Sequence, residues 1–110
     1  MINLEPKIVK FKKLEKYQRL LDNTKDTINI KSGFVMLRPE ERVGEHITEN
    51  KEELIIILQG KAEISFGKKN LFISRKDNII YIPPETKHDV KNIGKDLLEY
   101  IYVVSPIKKQ

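Results

Sequence analysis

The sequence predicts an all-β domain, a sandwich or a barrel, on three observations: the apolar runs are short, they recur at close spacing, and no helix-length segment separates them. About eight or nine such segments follow one another, with glycine, asparagine or proline at the breaks. Short strands in quick succession are the mark of antiparallel sheets packed or closed on themselves. The same spacing argues against a parallel α/β sheet, whose crossovers are usually helices.

Residues 8–11 read as a short strand. Residues 12–21 place Leu14, Tyr17 and Leu21 at spacings of three and four, which puts them on one face of a short helix. A helix of about ten residues does not stand without docking on the rest of the chain. Residues 22–26 are a polar break, and from Thr27 the period changes to two. Ile28 and Ile30 alternate with polar neighbours, and a second apolar run from Gly33 to Leu37 stops at Arg38-Pro39. Beyond the acidic loop at Glu40 and Glu41, strands are expected around His46 and over residues 54–59, 62–66, 71–74, 79–82, 88–91 and 97–104. Turns fall at Gly60-Lys61, 67–70 and 92–95. On this reading residues 1–27 are an arm with a short helix packed on the barrel, 28–104 are the barrel and 105–110 a tail. With 110 residues, 39% of them hydrophobic, the chain supports one core.

Twenty-one basic residues against sixteen acidic ones leave a net charge of +5, which raises the question of nucleic acid. The distribution argues against it. Lysines are scattered among glutamates, only four residues are arginine, and no stretch interleaves basic with aromatic side chains. The absence of cysteine excludes disulfide staples, thiolate metal sites and a cysteine nucleophile, and is compatible with a reducing cytoplasm. No segment is apolar for the length of a bilayer or a signal peptide, so a cytoplasmic protein is the expectation. The abundance of lysine, glutamate and isoleucine suits a thermophile, although an AT-rich genome favours the same lysine and isoleucine codons.

The stretch from Gly44 to Gly60 brings His46 close to Glu52 and Glu53 just ahead of five aliphatic residues. The other histidine of the chain, His88, follows the next-but-two apolar strand, after Pro83-Pro84. If strand pairing joins the two segments, His46, Glu53 and His88 converge, and two imidazoles with a carboxylate make a metal site. Each histidine taken alone reads as a loop residue or a hydrogen-bonded turn residue; their common register with Glu53 reverses that preference.

These residues carry a resemblance: the chain resembles a small single-domain cupin over residues 28–104. The first motif of that family, Gly-x5-His-x-His-x3,4-Glu-x6-Gly, is matched by His46, Glu53 and Gly60, with Thr48 at the place of the second histidine and Gly44 nearer the histidine than the pattern asks. The second, Gly-x5-Pro-x-Gly-x2-His-x3-Asn, is matched by Pro83, His88 and Asn92, with Asp77 and Glu85 where its glycines stand. The resemblance implies a jelly-roll barrel with a central small-molecule pocket lined by the metal ligands His46, Glu53 and His88. It also implies a bound divalent ion (iron, manganese, nickel or zinc) and the chemistry of an oxygenase, isomerase or hydrolase. The alternative is a binding or sensing module that holds a ligand without turnover.

Other residues are placed by strand parity. Thr48 points with His46, and Glu49 is a loop acid near enough to serve as a substitute ligand, whereas Glu52 alternates outward. Met36 and Arg38 share one face of an early strand, and Tyr100 and Tyr102 share one face of the last. Either pair reaches a pocket at the barrel mouth, where Arg38 offers a forked hydrogen-bond pair to an anion; core packing or an interface is the competing role for the tyrosines. Pro83-Pro84 and Asn92 read as turn formers. Both faces of residues 54–58 are apolar, so one lines the barrel and the other meets a second layer or a partner chain, and a homodimer is expected.

Overall fold

The computed structural model describes residues 2 and 4–107, which form nine strands and no helix among them. They are β1 (Tyr17–Leu21), β2 (Lys31–Leu37), β3 (His46–Ile47), β4 (Lys51–Gln59), β5 (Lys61–Phe66), β6 (Asn70–Arg75), β7 (Ile79–Ile82), β8 (Lys87–Asn92) and β9 (Leu98–Pro106). Five make one sheet in the order β1-β2-β9-β4-β7 and four the other in the order β3-β8-β5-β6, every pairing antiparallel.

Alternation along each strand decides what lies between the sheets. On β4, Glu53, Ile55 and Ile57 are buried while Leu54 is exposed. Val35, Leu37, Ile80, Ile82, Leu98 and Tyr100 join Ile55 and Ile57 from the five-stranded sheet, and Ala62, Ile64 and Val90 meet them from the other. A slip of one residue in β4 would exchange this buried set for Leu54, Ile56 and Leu58 and carry Glu53 out of the interior. The chain passes from one sheet to the other at Gly60, whose φ is 93°. A side chain there would be 2.6 Å from the Leu97 carbonyl oxygen, so glycine is required on two counts.

The N-terminal helix expected over residues 12–21 does not form. Residues 17–21 are an edge strand instead, with Tyr17 opposite Val35, Gln18 opposite Phe34 and Arg19 opposite Gly33. A helix this short is marginal by itself, whereas the open edge of β2 offers unpaired backbone groups to an extended chain. The expected strand at residues 8–11 is irregular backbone, although Phe11 stacks on Phe34 at 5.0 Å and so covers part of the sheet's outer face. The Lys13 ammonium lies 2.8 Å from buried Glu99 on the same side. Ile28 and Ile30, expected in a strand, are exposed in the loop before β2. At the other end β9 runs past residue 104 to Pro106, because Ser105 and Pro106 pair with Glu52 and Lys51.

Among the described residues the outer face of β4 is only partly covered: Leu54, Ile79 and Tyr81 are 38%, 65% and 52% exposed. No helix is long and apolar enough to cross a membrane.

Candidate metal and ligand site

His46 and His88 are direct cross-strand partners on β3 and β8, with ring centroids 4.1 Å apart and the planes tilted by 58°. Glu53 approaches from the facing sheet, its Oε1 3.1 Å from His88 Nε2. One ligand atom from each of the three residues lies within 4.8 Å of the others. The backbone orients both rings in the same way. His46 Nδ1 is 2.9 Å from the Gly44 carbonyl oxygen and His88 Nδ1 is 3.1 Å from that of Thr86. A carbonyl only accepts, so each Nδ1 carries the proton and each Nε2 is left for the cluster. Fixing the tautomer through the second nitrogen is how a protein prepares a metal-binding imidazole.

Electrostatics tie His88 to Glu53. Burial of the ring opposes a charge on it, but the Glu53 hydrogen bond, the Thr86 carbonyl and the charges of Glu53 and Asp89 outweigh burial and raise its pKa above the usual histidine value. Tyr100, also buried, is pushed well above the tyrosine range by desolvation and then by the Glu53 charge, so its hydroxyl keeps its proton.

The cluster opens on a cavity of about 310 Å³ between the sheets. Thr48, Tyr100 and Tyr102 line it; Met36, Arg38 and Glu49 do not. Val35 and Leu37 are the inward residues of β2, which turns Met36 to the outer face. Arg38 lies beyond the end of β2, exposed, with its backbone N–H donating to Glu41 Oε1, and Glu49 is exposed in the turn before β4. Thr48 is buried, and its hydroxyl donates to the Pro83 carbonyl at 2.8 Å, so its proton is committed to a backbone turn.

Three polar lining residues, Tyr17, Lys31 and Lys51, are not among the site residues expected from the sequence. Tyr17 was hidden by the helical spacing of its neighbours. Lys51 shares a strand face with Glu53 by parity, a signal available in the sequence, while nothing marks Lys31 among the many other lysines.

Second-layer contacts hold the histidines. Asp89 Oδ1 accepts the Gly44 N–H at 2.8 Å and Oδ2 lies 3.2 Å from Arg42, which fixes the loop whose carbonyl orients His46. Asn92, fully buried, donates to the carbonyls of Leu37 and Asp96 and accepts the Gly94 N–H, joining the ends of β2 and β8. Asp77 and Glu85 have φ of 74° and 60°, the left-handed region that glycine enters most easily.

The profile of the cupin domain matches residues 33–104. Polyketide synthase CurC of Streptomyces cyaneus is 26% identical over 115 residues, spanning 97% of this chain and 74% of that protein. An uncharacterized protein of Methanocaldococcus jannaschii is 25% identical over 104 residues, spanning 94% of this chain and 88% of the relative. A crystal structure from that organism, of a cupin family protein with a double-stranded β-helix fold, superposes with a TM-score of 0.79 at 23% identity over 94% of both chains. The cupin domain of Schizosaccharomyces pombe Cnp3 gives a TM-score of 0.74 at 22% identity over 83% of this chain, which spans 64% of the length of the Cnp3 chain.

Proposed function

The chain belongs to the cupin domain family, and from that premise we propose that it binds a divalent metal ion through His46, Glu53 and His88 and a small molecule in the cavity beside them. The carrying observation is the convergence of one ligand atom from each of His46, Glu53 and His88 within 4.8 Å, with both Nδ1 atoms already committed to backbone carbonyls. Bonds of about 2.1 Å place neighbouring ligand atoms of a metal roughly 3 to 4 Å apart, so small side-chain movements complete the site. Two imidazoles and one carboxylate suit iron, manganese, nickel or zinc and leave positions for a ligand, at which a bound metal supplies Lewis-acid chemistry. The chain's own residues do the rest. Gly44 and Thr86 hold the rings, Glu53 neutralises charge, and Tyr100 offers a protonated hydroxyl to the cavity.

A second reading rests on the His88–Glu53 hydrogen bond, which satisfies both groups without a metal: a binding or sensing module whose cavity takes a ligand directly. A homodimer belongs to either reading, with the apolar rows of Leu54, Ile79 and Tyr81 covered by a second copy. Elemental analysis after reconstitution with iron, manganese, nickel and zinc separates the two. One equivalent of metal in the wild type, lost in both His46→Ala and His88→Ala with the fold intact, is the expected outcome. A wild-type protein that stays metal-free supports the module, and unchanged content in both variants removes the proposed site.

A further inference from the structure

Two lysines enter the same cavity from the starts of parallel-running strands. Lys31 on β2 is opposite Val104 on β9, and Val104 is opposite Glu53 on β4, so Lys31 and Glu53 lie in one row across the sheet, two strand spacings or about 10 Å apart. Lys51 precedes Glu53 by two residues on the same face, about 6.7 Å along β4. Both line the cavity. Among the described residues no carboxylate pairs with either ammonium, whereas Lys13, Lys16 and Lys91 all have acidic partners. Glu53, the one acid of the lining, is turned to His88.

The cavity therefore carries two ammonium groups without carboxylate partners, with Val104 between Lys31 and Glu53 in the row across the sheet, and the rest of its wall includes the apolar Val35 and Val90 and the rings of Tyr100 and Tyr102. Its volume is at the small limit of ligand pockets, which run from about 300 to 1,000 Å³. A forked contact to phosphate needs an arginine and a cradle of backbone N–H groups needs a helix N-terminus; no arginine lines the cavity and the described residues contain no helix, so a phosphate would meet the two lysines only as point charges. We propose that the cavity takes a short dicarboxylic acid, one carboxylate held by Lys31 and Lys51 and the other turned to His46, Glu53 and His88. The inference rests on the metal and ligand reading above and names the chemical class of its ligand.

Isothermal titration of the zinc-loaded and the metal-free protein with malonate, succinate, glutarate and adipate, each beside its monoamide, tests it. The monoamide keeps the shape and removes one charge. At least one diacid binds the zinc-loaded protein tighter than its monoamide by about tenfold, the scale of a charge-assisted contact at a partly open site. In Lys31→Met/Lys51→Met that preference disappears, while zinc affinity, measured separately by competition with a chelating dye, is retained. Four diacids that bind no tighter than their monoamides, or a double variant that keeps the preference, overturns the proposal, as does inorganic phosphate binding tighter than every diacid. A wild type that binds no zinc overturns the metal reading on which the proposal rests, whereas normal zinc binding without lysine dependence overturns the proposal and leaves the metal reading standing.

Discussion

Asp77 and Glu85 hold left-handed backbone where the resembled motif has glycines, so the turn geometry persists and the side chains bear its steric cost. That cost is about 1–2 kcal/mol for an ordinary residue and less for Asp, and glycine returns part of it as unfolded-state entropy. Asp77→Gly is expected to stabilise the fold by about 0.5 kcal/mol, read as a higher urea midpoint at unchanged slope. Glu85→Gly gains less, because Glu85 Oε1 also accepts the Asn50 N–H at 2.8 Å. His88 sets a pH dependence at the same scale. Its pKa is raised in the folded, metal-free protein, so the fold holds a proton that the unfolded chain releases near pH 6.5. The resulting stability is complete below about pH 6.5 and is lost as pH rises through the higher folded value. On the proposed metal reading, metal affinity is expected to run the other way, rising across that window as the proton leaves. Urea midpoints of metal-free wild type and His88→Gln measured across the window check this: the wild type falls with pH relative to the variant, and parallel curves would remove the ion pair.

Among the elements, the meeting of β2 and β8 carries the most polar cost. Asn92 satisfies two carbonyls and one N–H in a fully buried position, so its removal takes a hydrogen bond from each of three backbone groups. Asn92→Ala is expected to cost about 2–4 kcal/mol, a large share of the stability of a domain this size. Chemical denaturation measures it; a loss below about 0.5 kcal/mol, the scale of an ordinary surface substitution, would mean that water replaces the amide. Here the sequence was read only in part: spacing marked Asn92 as a turn residue, but its three partners come from different segments and no local pattern names them. β1 is the opposite case. Leu14, Tyr17 and Leu21 follow a helical period, yet the hydrogen bonds offered by the edge of β2 decide the conformation.

At the scale of the molecule the exposed apolar outer face of β4 and β7 bears on assembly. Leu54 and Tyr81 are opposite one another, as are Ile56 and Ile79, so the apolar side chains form contiguous rows. A two-fold dimer buries such rows against their own copies. Sedimentation equilibrium is expected to find a dimer at micromolar concentration and a shift to monomer in Leu54→Lys; a wild-type monomer would leave the face to solvent. What the sequence by itself determined is whatever follows from periodicity and spacing. The short alternating segments define antiparallel strands, parity turns Glu53, Ile55 and Ile57 to one side, and the two motifs set His46, Glu53 and His88 in register. Only the tertiary structure decided which faces meet. Parity says on which side of a strand a residue lies but not what stands across from it, so the 3.1 Å approach of Glu53 to His88, the outward turn of Met36 and the placing of Lys31 and Lys51 on one cavity required the two sheets to be stacked and the β2–β9–β4 register to be set.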